Sequence, residues 1–206
     1  MTNQASAYHH GDLRAALLTE AAAMIADGGA SSVTMRALGQ RLGVSRAAPY
    51  RHFANKTELL VAVAAAGFNR LNSRLQAIDT GSAGPSVERL RSMGEEYVRF
   101  ALENPAHYRL MYGKEALARQ DVPELLEAGS ALFDQVVEVI QAYQDSGVIQ
   151  RQDPRGQAYV AWSAVHGLAS LLIDGQIQAA EDIDGLIRQT TQTVLDGMRV
   201  RRRRGP

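Results

Sequence analysis

The sequence predicts an all-α protein, with a small three-helix domain at the N-terminus and a larger helical bundle after it. Three observations carry this. Apolar residues recur at three- and four-residue spacing, as in Leu13, Leu17, Ala21 and Met24, which puts them on one face of a helix. Glycines and prolines punctuate these windows at Gly28-Gly29, Gly43, Gly81-Ser82-Ala83-Gly84-Pro85, Pro105, Gly113, Pro123 and Gly147, where they end helices or start them. No window shows the sustained alternation of a strand, and no internal repeat is visible.

The elements follow in order. The first helix ends at Gly28-Gly29 and braces the pair behind it. The second occupies 34–42: Leu38 and Leu42 share one face, and Gly39 is small enough for another helix to cross closely. Gly43 takes the sharp turn, for which the left-handed conformation costs glycine little. Val44 drops back into the wedge between the helices, and Ser45 is an N-cap for a helix starting near Arg46. Pro49 stands at about the fourth position of that helix. It removes one N–H and crowds the first turn, so this helix begins late or tightly wound. Asn55-Lys56-Thr57-Glu58 is a capping-box pattern opening the next helix, which leads away from 58 to about 78. Further helices are expected at 86–103, 106 to about 112, 123–145, 154 to about 174, and 183 to about 203, with Asp153-Pro154 as cap and first helical residue. The domain boundary falls between residues 57 and 58.

A helix, a tight turn and a short second helix form a helix-turn-helix. In that motif the second helix lies in the DNA major groove and its first residues meet base edges, here Arg46, Ala47 and Tyr50 with Arg51 and His52 nearby. Arg46 suits a guanine, whose O6 and N7 accept a bidentate guanidinium; Ala47 suits a thymine methyl. The free N–H groups at the start of the next helix, with Lys56 beside them, suit a phosphate. A Gly-Val-Ser turn also occurs in plain helical bundles. What separates the two cases is the run Tyr50-Arg51-His52-Phe53 with Lys56, too polar and too basic to face a core.

The run from Thr34 to Ser45, followed by Tyr50-Arg51-His52-Phe53 and Asn55-Lys56, resembles the DNA-binding domain of the tetracycline-repressor (TetR) family of bacterial transcription regulators. Tyr8-His9-His10-Gly11-Asp12-Leu13-Arg14 is similar to a branch of that family. The resemblance implies that Tyr50 and Lys56 contact phosphates, that Arg46 and Ala47 occupy base-reading positions, and that Phe53 is buried. Pro49 departs from the common pattern, which has an aliphatic residue there. The candidate DNA-binding set is Thr34, Arg36, Ser45, Arg46, Ala47, Tyr50, Arg51, His52 and Lys56.

Composition agrees. The 206 residues include no cysteine, which excludes disulfides and thiolate metal sites and fits a reducing cytosol. The first fourteen residues lack a signal-like apolar core, and the longest apolar stretch is far short of a membrane span. A cytoplasmic protein is expected. The formal net charge of zero conceals an asymmetry: residues 1–60 carry six basic and four acidic side chains, residues 61–198 carry 11 and 18, and Arg199 with Arg201 to Arg204 closes the balance. A basic head on an acidic body orients a molecule on a duplex. The arginine tail is either a solvated helix end or a second phosphate contact.

The larger bundle is expected to dimerise and to bind an effector. The stretch from Tyr159 to Leu172 is apolar and rich in small residues, so it can be buried on more than one side. Its Trp162, His166 and Gly167 resemble a C-terminal domain type found in a subset of the family. The resemblance implies that the last two helices pair with those of a second subunit, with Ala158, Ala161, Val165, Val194, Leu195 and Met198 as contributors. A two-fold homodimer presents its heads to a palindromic operator. Tyr97, Phe100, His107, Tyr108, Met111, Tyr112, Phe133, Trp162 and His166 are candidates to line a small-molecule pocket, although aromatics at helical spacing also build plain cores. No cofactor or metal is expected, because His107 and His166 lack paired carboxylates at ligand spacing. Two other functions stay open. One is effector-independent, architectural DNA binding. The other is an all-helical enzyme using His166 or His107 with Glu95 or Glu96, which no catalytic motif supports.

Overall fold

The computed structural model describes residues 10–79, 84–112, 122–177 and 182–199. Among them the elements are α1 (His10–Ser32), α2 (Met35–Arg41), a 3₁₀ turn (Pro49–Arg51), α3 (Lys56–Asp79), α4 (Val87–Glu103), α5 (Pro105–Tyr112), α6 (Pro123–Asp145), α7 (Pro154–Ile173) and α8 (Ile183–Met198). The chain forms two compact units, Met1–Gly67 with Ala106–Leu126 and Phe68–Pro105 with Glu127–Pro206.

In the first unit, α1 is interrupted at Gly29, whose φ of 71° and ψ of 176° are not helical. The stop expected at Gly28-Gly29 is therefore a break, and one further turn follows it. Ser32 Oγ closes that turn on the carbonyl oxygens of Gly29 and Met24. Thr34 caps α2, its hydroxyl accepting the Ala37 N–H at 3.1 Å. Arg41 ties α2 to α1 through Glu20 at 2.9 Å, with Asp27 at 3.8 Å. Leu17, Ala21, Ile25, Val33 and Leu38 are fully buried and form the core of this helical pair. From Leu59 to Ala65 every residue of α3 is buried, as in a helix surrounded by neighbours.

In the second unit α4, α7 and α8 pack together. Gly94 permits the approach: a Cβ there would lie 2.9 Å from Thr191 Cγ2 and 3.5 Å from Val165 Cγ1. Asp153 and Asp182 cap α7 and α8, their carboxylates accepting the N–H groups of Gly156 and Gly185 at 2.8 and 2.7 Å, and Pro154 follows Asp153 as expected. The last helix ends at Met198, short of about 203. Arg199 is extended (φ −61°, ψ 147°) and pairs antiparallel with Ile149, while the Gln150 N–H donates to Met198 O at 2.8 Å. This bridge takes up backbone groups that a longer helix would use. Arg201 to Arg204 lie outside the described residues.

Candidate nucleic-acid interface

Gly43 has φ of 65°, so the turn after α2 uses the left-handed conformation that glycine adopts without strain. The chain then folds back over Gly39: the Val44 N–H donates to Gly39 O at 2.9 Å. A Cβ at position 39 would lie 3.4 Å from Ser45 O and 3.6 Å from Pro49 Cγ. Glycine at 39 gives the next element room to cross closely.

That element is not the α-helix expected from Arg46. Residues 46–48 form a turn, and Pro49–Arg51 is a single 3₁₀ turn. The cause is Pro49. In an α-helix the N–H of residue 49 would donate to Ser45 O, but proline has none and its ring crowds that carbonyl. Ser45 O instead accepts the Ala48 N–H at 3.0 Å, and Pro49 O accepts from His52 and Phe53, both at 3.1 Å. Ser45 does not act as the expected N-cap, since Ala48 leads the 3₁₀ turn with no side-chain cap. Ala48, Pro49 and Phe53 are buried and anchor the segment.

The polar side chains point the other way. Arg36, Ser45, Arg46, Ala47, Tyr50 and Arg51 are exposed, Tyr50 by 57%, while His52 and Lys56 are half-buried. Arg36, Arg46 and Arg51 make no ion pair or hydrogen bond among the described residues. Nearby acids are engaged elsewhere: Glu20 and Asp27 face Arg41, and Glu58 Oε2 accepts the Ala54 N–H at 2.7 Å. Asn55 Oδ1 accepts the Glu58 N–H at 2.9 Å, so the start of α3 is capped reciprocally, with Glu58 reaching one residue beyond the usual box. Lys56 Nζ donates to Ser31 O at 3.3 Å. The outcome is a short segment with unneutralised guanidinium groups and a phenol turned to solvent, the donor set that phosphates and guanine edges accept.

The aromatic set separates into two groups. His107, Tyr108, Met111 and Tyr112 belong to the first unit, where His107 Nε2 donates to Val63 O at 2.7 Å. Tyr97, Phe100, Phe133, Trp162 and His166 belong to the second. There Trp162 Nε1 donates to the Tyr97 hydroxyl oxygen at 3.0 Å, and that hydroxyl also hydrogen-bonds His166 Nδ1 at 3.1 Å. Phe133 stacks on Tyr159 at 4.4 Å and meets Trp162 at 5.8 Å. Of the enzyme candidates, Glu95 faces Arg91 and Arg99, and Glu96 faces Arg74. Among the described residues no cluster of three His, Asp or Glu side chains is arranged to hold a metal, and no helix is long and apolar enough to cross a membrane.

On α7 and α8, Ala158, Val165, Leu195 and Met198 turn inward and are buried within the chain, whereas Ala161 and Val194 are half-buried. The outward apolar residues of α7 are Tyr159, Val160 and Leu171, at 48%, 62% and 44% exposure. An open groove beside them is lined by Ala164, Leu186, Gln189, Thr190, Thr193 and Val194.

A capped short helix, a glycine turn and one tight turn bearing free cations define a helix-turn-helix protein of the all-α class. The chain belongs to the TetR family of bacterial regulatory proteins. The family model described as "Bacterial regulatory proteins, tetR family" matches residues 17–63, and "Tetracyclin repressor-like, C-terminal domain" matches 90–194. A solved protein of unknown function from Rhodococcus sp. RHA1 superposes with a TM-score of 0.82 at 32% identity, covering 95% of this chain and 100% of that one. The HTH-type transcriptional activator FasR of Mycolicibacterium smegmatis is 28% identical over 163 residues, 78% of this chain and 69% of the relative. The nucleoid occlusion factor SlmA of Vibrio vulnificus is 31% identical over 108 residues, so the match spans 52% of this chain and about half, 54%, of that relative.

Proposed function

We propose that the protein is a homodimeric, sequence-specific repressor that a small-molecule effector releases from a palindromic operator. Residues 1–57 form the DNA-reading head and 58–206 the dimerisation and effector body, in the cytoplasm. The observation that carries this reading is the outward, unneutralised set Arg46, Tyr50 and Arg51 on the turn after Gly43. Arg46 and Ala47 read bases; Tyr50 and Lys56 hold phosphates, with Thr34, Arg36, Ser45, Arg51 and His52 around them.

Dimerisation is supported by the apolar outer face of α7 and the adjoining groove on α8. Ala161 and Val194 border that face, and Ala158, Val165, Leu195 and Met198 support it from beneath. Two-fold pairing there sets two heads on half-sites about 34 Å apart or a multiple of it. The effector acts by population shift, by no more than its differential affinity for the two arrangements. Tyr97, Trp162 and His166, polar atoms among aromatics, are its proposed contacts in the second unit, with Phe100 and Phe133 as further candidates there; His107, Tyr108, Met111 and Tyr112 are the pocket candidates that lie in the first unit.

A selection from random duplexes tests the function. An inverted repeat with half-sites one helical turn apart, bound more weakly as salt rises, is expected; recovery of no preferred sequence overturns it. A second reading draws on the similarity to a nucleoid occlusion factor: sequence-specific binding in which no small molecule releases the DNA.

A further inference from the structure

We infer that Arg14, on α1, is an additional phosphate contact of the DNA-binding surface. The inference rests on the DNA-reading function proposed above and extends its footprint from the turn to the first helix.

Arg14 is exposed, and its guanidinium carbon lies 5.3 Å from the centroid of the Phe53 ring. Phe53 is itself 2% exposed and held by its N–H bond to Pro49 O. The cation is thus laid over a fixed ring, which orients it without neutralising it. Arg14 makes no ion pair or hydrogen bond among the described residues. The contrast with Arg41 is informative: that side chain, also in this unit, is consumed by Glu20 and Asp27. Phe53 stands between Tyr50-Arg51-His52 and Asn55-Lys56 in sequence. The stacked guanidinium therefore sits beside the residues proposed to hold phosphates, with its five N–H donors unspent. Planar guanidinium donors of this kind match phosphate oxygens.

The competing role is packing, with Arg14 serving only as a cover for Phe53. The two roles separate by salt. Binding of a short random-sequence duplex is followed by fluorescence anisotropy from low to moderate salt for the unmodified protein, Arg14→Met, Arg14→Lys and, as reference, Lys56→Ala. Arg14→Met keeps a covering stem and drops the charge, and it is expected to flatten the slope of log K against log salt by about 0.9 per protomer; Arg14→Lys keeps the slope. An unchanged slope for Arg14→Met overturns the proposal, whatever happens to the melting temperature. If Arg14→Met does not fold, Arg14→Gln is read by the same criterion. Loss of slope in Lys56→Ala but not in the Arg14 variants defeats this inference alone, whereas no duplex binding by the unmodified protein defeats it together with the proposed function.

Discussion

His107 Nε2 donates a 2.7 Å hydrogen bond to the carbonyl oxygen of Val63, one helical turn before Gly67 on α3. A Cβ at Gly67 would lie 2.6 Å from that same Nε2 and 2.7 Å from Met111 Sδ. The missing side chain is what lets α5 close on this part of α3, and the histidine bond then holds it there.

Gly67→Ala is accordingly expected to destabilise the protein by about 1–3 kcal/mol, the usual cost of overpacking. His107→Ala loses a hydrogen bond contributing about 0.5–1.5 kcal/mol and also vacates the space that a methyl group added at position 67 needs. The two changes should therefore couple, the double variant being more stable than the sum of the singles implies. Urea unfolding of all four proteins measures this, and strict additivity would show that the two positions do not share that space.

Arg46 and Lys56 should respond differently to truncation. Arg46→Ala is expected to relax discrimination at one base pair by about 1–3 kcal/mol and to leave the melting temperature unchanged, because no described residue pairs with its side chain. Lys56→Ala should weaken binding to every sequence, flatten the salt dependence and lower the melting temperature slightly through the lost bond to Ser31 O. Competition binding with operator and random duplexes checks both; equal losses on the two duplexes for Arg46→Ala would remove it from base reading.

Val160 is 62% exposed on α7, so a charge there should disturb assembly and little else. Val160→Glu is expected to halve the mass that the proposed dimer shows by sedimentation equilibrium. Leu195→Ala, by contrast, empties a position that is 3% exposed and should cost about 2–5 kcal/mol of stability. A Val160→Glu protein that still sediments as a dimer would move the interface elsewhere.

Arg74 donates to Glu103 at 2.8 Å, also pairs with Glu96, and lies 5.6 Å from the Phe100 ring centroid. Its hydrogen bond holds the Glu103 carboxyl below the ordinary value against the opposing effect of burial. A lowered folded-state pKa gives stability that is present above the unfolded carboxyl value and is lost as pH falls through the folded one. The Glu103 side chain is 54% exposed, and such pairs contribute only about 0.2–1 kcal/mol. Glu103→Gln should therefore be slightly less stable than the unmodified protein near neutral pH and indistinguishable from it in acid below the carboxylate range, as read by denaturant titrations at the two conditions.

Elements marked by local chemistry are legible in the sequence. Pro123 and the Asp153-Pro154 pair put helix starts within a residue of where they occur, because caps and prolines act on their own turn. Pro49 likewise announced a tightly wound recognition segment. What escaped was non-local. The end of α8 is set by a bridge to Ile149, fifty residues away in sequence, and no periodicity in the final helix reports it. The resemblance grouped Ala158 with Ala161 and Leu195 with Val194 as interface residues, but it does not say which of them turn to the chain's own bundle. The burial pattern does. Similarly, residues 107–112 and the Tyr97–Trp162–His166 group share an aromatic character that composition alone cannot divide between two units. The cover that Arg14 forms over Phe53 joins residues 39 positions apart and leaves no local mark.

The turn bearing Arg46 and Ala47 is held by backbone bonds and by Pro49 seated against Gly39, and neither of those two side chains takes part. Under the base-reading role proposed for them, target preference can drift through descendants of this protein independently of thermal robustness. A library randomised at 46 and 47 should melt at one temperature while dispersing over many operators, which makes these two positions the natural starting point for redirecting the regulator to a new promoter.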